Sequence, residues 1–452
     1  MSATPQTSAE DGQSVPSGRD VLADRDVRRF LLSNVLLYTG LSLQLAVLGK
    51  EVFDITGRES DLAWLGLAEF VPAPFLVLVT GAVADRFDRK LVAALATAGE
   101  LFCIAALALY SASSPTAVWP FFGIAGLFGV FRSFGSPAVR AIPPMIAPDR
   151  AFPRVIALFS ATWTGASIVG AAISGALYVI APWVAYVVAG GLVALGLVML
   201  VTVRFRRQPA PRDPDERTTF RSAVEGLRFV LRTPILLGII SLDLFAVLFG
   251  GAVALLPAIA EKRLDVGDVA YGWLRAAPGI GAGAMAIFLS ARPLKRRVGK
   301  SLLFVVGLFG AGTVVLGLTR SFVIAFVALL VLSGADMVSV FVRTSLVPLV
   351  TPDEKRGRVL SVENVFIGAS NELGAFESGM AAQQLGLVPA VAGGGLATIG
   401  IVLLFAFLFP ALRRIDRFED LQYASNDPQS PSPEPPPPDP TAVVTLEIAE
   451  RT

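Results

Sequence analysis

Residues 81–90 read Gly81-Ala82-Val83-Ala84-Asp85-Arg86-Phe87-Asp88-Arg89-Lys90, a charged knot between two apolar runs at 62–80 and 91–110. Each run is long enough to cross a hydrocarbon core, so the knot reads as a tight turn joining two membrane-spanning helices. The other apolar runs of the chain are equally long and continuous. A closed barrel would instead show segments of about ten residues with alternating polarity. Helices remain, because inside a bilayer every backbone amide must be satisfied within its own segment. The fold class is an all-α membrane protein.

Composition points the same way. Of 452 residues, 54% are hydrophobic and 16% charged, and the mean hydropathy is +0.65. That is too apolar for a soluble globular chain. Histidine is absent, which removes imidazole metal sites, Ser-His-Asp and Cys-His nucleophile pairs and a histidine relay, leaving proton chemistry to carboxylates. The lone Cys103 excludes a disulfide framework and reads as packing within a helix. No Gly-rich phosphate loop ending in Gly-Lys-Ser/Thr occurs, which argues against an ATP-driven pump. The chain is expected to be no enzyme and to need no cofactor or metal. A net charge of +2 offers nothing toward nucleic acid, and none is expected as a partner.

Twelve spans are expected, at 28–50, 62–83, 90–111, 117–141, 154–180 and 183–203, then at 234–258, 270–291, 300–318, 321–345, 358–382 and 387–411. Residues 1–24, polar and without a cleavable leader, are expected as a disordered tail. Six spans fill 25–203, a hydrophilic linker runs over 204–232, and six more fill 233–414. Residues 415–452, with consecutive prolines at 435–438, are expected as a Pro-rich disordered tail. Basic residues gather on one set of loops: Arg86, Arg89 and Lys90, then Arg150 and Arg154, Arg204 to Arg207, Arg292 to Lys300, and Lys355 to Arg358. By the positive-inside rule that set is cytoplasmic, together with both termini.

The two halves repeat. Pro148-Asp149 and Arg154-Val155 recur as Pro352-Asp353 and Arg358-Val359, 204 residues later, and at the same offset Gly170-Ala171 matches Gly374-Ala375. Repeats of this kind mark transporters that rock two bundles about a midplane site.

The spacing in 81–90, a glycine, Asp-Arg four residues on and Arg-Lys three after that, resembles the signature loop of the major facilitator superfamily between its second and third helices. Residues 242–251, 274–278, 334–339 and 364–374 are similar to the branch of that superfamily containing the enterobactin exporter and related transmembrane secretion effectors. The second copy of the loop, 292–300, keeps basic residues without the glycine–aspartate spacing. The resemblance implies twelve transmembrane helices in two pseudo-symmetric six-helix bundles. It also implies a conformational latch built from Gly81, Asp85, Arg86, Arg89 and Lys90, and proton-driven export of a siderophore or hydrophobic drug.

Charges within spans are costly and usually face the protein interior, so they carry the functional information. Arg132 in span four and Asp336 in span ten stand 204 residues apart, at equivalent depths with opposite signs. Asp243 lies a third of the way along span seven. In the superfamily that the chain resembles, spans four, seven and ten line the cavity. Asn364, Asn371 and Ser378 recur every seven residues as one polar stripe on span eleven, with Glu372 beside them. Proton coupling is expected at Asp243, Asp336 or Glu372, with Arg132 as the alternating partner. Asp243 comes first, since no arginine sits at contact spacing on its own helix, whereas Arg343 is two turns from Asp336. Glu69, Arg275 and Glu377 are further candidates, and Glu100 reads as a buried structural contact. A structural role stays open for each charge. The expected function is secondary active, proton-coupled export of an amphipathic small molecule by a monomer in the inner (plasma) membrane. The alternatives are an importer or facilitator of a small solute, or a transport-inactive scaffold or sensor.

Overall fold

Apolar runs of twenty or so residues become helices here because only the i to i−4 ladder satisfies their amides away from water. The computed structural model describes residues 18–148, 151–206 and 220–418, without the side chains at 18–20, 77–78, 81–82, 84–86 and 220–223. The expected disordered tail over 1–24 is corrected at its end, where Gly18–Ala23 is helical and Val21 is buried with Val27 and Phe30. Residues before 18 and after 418, the middle of the linker, and Asp149 and Arg150 lie outside the described residues. The spans are α1 Arg25–Thr56, α2 in two pieces (Glu59–Phe70 and Pro72–Arg86), α3 Arg89–Ala112, α4 Trp119–Arg140, α5 Phe152–Tyr178 and α6 Pro182–Thr202. In the second half they are α7 Pro234–Phe249, α8 Asp268–Ala291, α9 Val298–Leu318, α10 Phe322–Val350, α11 Asp353–Leu385 and α12 Leu387–Leu408.

Among the described residues, ten helices are long and apolar enough to cross a membrane by hydropathy alone. The two crossings that fall outside that count have separate causes. The second span, expected as one helix over 62–83, is interrupted at Val71 by Pro72, which offers no N–H and crowds the preceding turn. Helix α11 is uninterrupted but polar, carrying charges from Asp353 to Glu377. It is longer than the expected 358–382, its charged first turns from Asp353 to Arg358 being exposed. Helix α7 likewise runs past its expected end, through a 3₁₀ turn Gly251–Leu255 and a π turn Ile259–Arg263.

Local chemistry sets the helix ends. Asp24 accepts from the N–H groups of Asp26 and Val27 to cap α1, and Gly57, at φ 62°, ends it. Asp88 caps α3 through Lys90 N and Leu91 N. In the second half the corresponding loop has lost its aspartate, and Asp416 stands in from beyond α12. Its carboxylate accepts from Arg297 N at 3.1 Å and from Arg296 Nε at 3.4 Å. These contacts, the backbone bond foremost, hold the Asp416 carboxyl below the usual carboxylate range. Part of the expected C-terminal tail therefore belongs to the second half, where Ile415 and Phe418 join its core.

The end of the expected linker is also ordered. Helix Phe220–Arg232 lays Val230 and Leu227 against Val347, Val359 and Val362, with Lys355 over the Phe229 ring and Arg358 paired to Glu225 at 2.7 Å.

Each half has its own apolar core, α1, α3, α4 and α6 in the first and α7, α9, α10 and α12 in the second. A further cluster bridges the halves, joining Phe53 and Leu62 to Leu255, Leu256 and Tyr271. The seam between halves is formed by two equivalent pairs, α5 on α8 and Glu59–Phe70 on α11. Glycine permits the close approach: a Cβ on Gly175 would stand 1.9 Å from the Asp268 carbonyl oxygen, and one on Gly379 would stand 2.7 Å from the Ala63 Cβ.

Candidate functional site

The halves are fastened at one end, the end of the α1–α2, α7–α8 and α9–α10 turns. Lys50, buried near the end of α1, pairs with Asp54 one turn on and reaches Glu261 at 3.5 Å and Asp268 at 3.4 Å in the other half. Lys262 donates to the Gly57 carbonyl at 2.7 Å and pairs with Glu59 at 2.8 Å. Tyr271 donates to the Ala46 carbonyl at 2.8 Å. Farther along the same seam the helices stay in ordinary contact, a Cβ on Gly283 meeting Thr164 at 3.7 Å. Toward the opposite end Pro72–Arg86 packs chiefly on α4 of its own half. None of these fastening residues stands out in sequence beyond mixed charge. The signal is present all the same, since Asp54, Glu59, Glu261 and Asp268 flank two lysines on the basic-poor loops.

Between the halves, above this seal, lies a cavity of about 510 Å³. Its first-half wall carries Arg132, Glu69, Ser133 and Ser136, and its second-half wall carries Tyr271, Arg275, Asn371 and Glu372. Arg132, with 49% of its side chain exposed, faces Glu69 at 3.1 Å. Arg132 therefore has its counterion on its own half and pairs with neither Asp243 nor Asp336. Glu372 sits against Gly66, where a Cβ would be 3.5 Å from its Oε2. Of the expected polar stripe, Asn371 borders the cavity, Ser378 packs against Gly251, and Asn364 caps back onto the Leu360 carbonyl outside it. Glu100 is buried at 6% exposure beside α4.

Asp243 and Asp336 occupy a different place. They line a small void inside the second half with Val306, Phe309 and Ser339. Asp243 is bound to Arg343 at 2.7 Å, both side chains being 7% exposed or less. Spacing along α10 assigns Arg343 to Asp336, but the nearer carboxylate comes from α7. Glu363 of α11 joins them at 5% exposure, with its Oε1 and the Arg343 Nε lacking hydrogen-bond partners. One guanidinium thus sits among three carboxylates. Glu363 is not singled out in sequence, since only its depth distinguishes it from the exposed acids at the start of α11.

Of the signature loop, Lys90 donates to the Val203 carbonyl at 2.7 Å, tying α3 to the end of α6, and Arg89 opens α3. The side chains of Gly81, Asp85 and Arg86 lie outside the described residues. No group of three or more metal-ligating side chains occurs among the described residues.

Two helical halves in tandem repeat, closed on one another at one end and holding a charged cavity between them, have the form of a membrane transporter. The chain belongs to the major facilitator superfamily, whose model matches residues 30–375. It is accordingly a multi-pass membrane transporter and not an enzyme. It is 26% identical over 392 residues to YfiS of Bacillus subtilis (strain 168), an uncharacterized MFS-type transporter, covering 82% of this chain and 90% of the relative. It is 28% identical over 342 residues to the enterobactin exporter EntS of Escherichia coli O6:H1, covering 74% and 80%. The fold matches a mutant of the nucleoside transporter NupG with TM-score 0.69 at 13% identity, covering 86% of this chain and all of that one. A bacterial homologue of the iron transporter ferroportin follows with TM-score 0.66 at 16% identity, covering 86% and 99%.

Proposed function

We propose that this transporter exports an amphipathic small molecule of siderophore or drug type from the cytoplasm by alternating access, driven by protons. The observation that carries the reading is the cavity between the halves, polar on both walls and fastened at one end by ion pairs. The fastened end combines these ion pairs with the apolar cluster of Phe53, Leu62, Leu255 and Tyr271, and the ion pairs can be exchanged for water when the halves rock. The likeness to EntS favours export. The basic loops favour an inner-membrane orientation with both termini, the linker and the latch loop in the cytoplasm. In this reading the fastened end faces outward.

Proton coupling falls to carboxylates, and two groups of them are available: Glu372 in the cavity, and Asp243, Asp336 and Glu363 around Arg343. One guanidinium cannot neutralise two buried carboxylates and a half-buried third, so the second group holds protons or exchanges them as its surroundings change. The latch residues Gly81, Asp85, Arg86, Arg89 and Lys90 stabilise one end state, and the protein works as a monomer.

The experiment is a comparison of compounds retained by cells lacking the protein with those retained by cells carrying it. The compound found is then offered to inverted vesicles energised by respiration. Concentrative, uncoupler-sensitive uptake into inverted vesicles that contain the protein supports proton-driven export. Uptake confined to right-side-out vesicles would make it an importer, and no retained compound with no vesicle uptake would favour the scaffold.

A further inference from the structure

We propose that Arg275 anchors an oxyanion on the transported molecule, so that the cavity selects amphipaths bearing a carboxylate or a similar compact acid. This rests on the cavity being the transport site. Four charged side chains face it: Glu69 and Arg132 on the first half, Arg275 and Glu372 on the second. The first two neutralise each other at 3.1 Å. Among the described residues no carboxylate lies within ion-pair distance of Arg275, and its Nε is buried without a hydrogen-bond partner.

The two unpaired charges are not equivalent. A carboxyl such as Glu372 can shed its charge by taking a proton. A guanidinium cannot, so a partly buried arginine needs a counter-charge or water at all times. Its planar fork matches a carboxylate through two parallel hydrogen bonds, a geometry that a neutral amide or ester does not reproduce.

The surroundings fit an amphipath. Tyr271, one turn before Arg275 on α8, is held by its bond to the Ala46 carbonyl and gives the arginine a fixed base. Leu45, Leu62, Phe70 and Pro257 complete the cavity as an apolar surface for the body of the molecule. An acid enters with its charge on Arg275 and its carbon frame on this surface. A cationic amphipath meets Arg275 as a like charge and is disfavoured.

The test uses the full chain in lipid nanodiscs with two isosteric probes, 1-naphthaleneacetic acid and its neutral amide, measured by calorimetry at pH 7.5. The acid is expected to bind about tenfold tighter than the amide, the fold-change of one good charge-assisted contact. Arg275→Gln should bring the acid down to the affinity of the amide, and Arg275→Lys should restore part of the preference. Equal binding of acid and amide, no acid binding at millimolar concentration, or a preference that persists in Arg275→Gln would each overturn the anchor. Ala254→Trp, which fills the cavity wall, separates this outcome from failure of the transport-site reading. If probe binding is lost in Ala254→Trp while wild type shows no acid preference, the cavity is the site and only the anchor is wrong. If binding survives Ala254→Trp, the probes bind elsewhere and both ideas fall.

Discussion

Among the described residues Arg343 is the one buried cation of the second half, and removing it costs more than removing its partner Asp243. Removing it leaves Asp243, with Asp336 and Glu363 nearby, buried without a counterion. Removing Asp243 leaves Arg343 with two other carboxylates to turn to. Arg343→Gln should therefore destabilise the protein by about 3–5 kcal/mol, the usual cost of breaking a buried pair from one side. Asp243→Asn should cost about 1–3 kcal/mol. Thermal unfolding in one detergent checks the order, and equal losses would mean that the cluster is not charged as described. For coupling, Asp243→Asn, Asp336→Asn and Glu372→Gln are each assayed for pH-driven uphill transport and for downhill counterflow. At least one should lose the first and keep the second, and uphill transport intact in all three would remove the carboxylates from the coupling step. At this scale the sequence is only half legible. Depth and charge along a helix can be counted, which brings out Asp243, Asp336, Arg132 and Glu372. Pairing across helices cannot be counted, so spacing gives Arg343 to the wrong carboxylate and leaves Glu69, which neutralises Arg132, a minor candidate.

Helices are more legible than residues, and the exceptions have physical causes. Pro72 divides α2 where hydropathy alone draws one span. Helix Phe220–Arg232 sits in a stretch whose average polarity reads as linker, although Leu227, Val230 and Leu231 already repeat at helical spacing, and Leu227 and Val230 pack on α11. Asp416 replaces the missing aspartate of the second loop copy from a segment that looks like tail. The seam of α5 on α8 gives the sharpest prediction for an element. Gly175→Val puts bulk where even a Cβ would meet the Asp268 carbonyl, so the fastened end must open. A cysteine at Arg58 or Asp268 in that variant, in a Cys103→Ala background, should react with a membrane-impermeant maleimide several-fold faster than without Gly175→Val. Unchanged reactivity with the variant folded would mean that the seam is not the closure. The signature loop makes the complementary prediction at the other end. Asp85→Asn should leave membrane insertion normal and reduce transport several-fold, and unchanged transport would reduce the loop to a signal for orientation.

The whole molecule is the most legible scale, because duplication and hydropathy survive without knowing any contact. Twelve spans, two equivalent halves and the membership of the superfamily all follow from patterns 204 residues apart and from one loop. What the linear pattern does not carry is which end is closed, since closure depends on side chains meeting across the halves. Alternating access requires the two ends to open in turn. Spin labels at Arg58 and Arg320 span the fastened end, and labels at Phe87 and Lys295 span the other, each pair in a Cys103→Ala chain in nanodiscs. Distances are measured by electron–electron double resonance between pH 5.5 and 8.5, with and without an amphipathic acid. Two populations are expected at each end that trade in opposition, the first pair lengthening as the second shortens. Distances that move together at both ends, or stay single and fixed at both under every condition, would contradict alternating access in this chain.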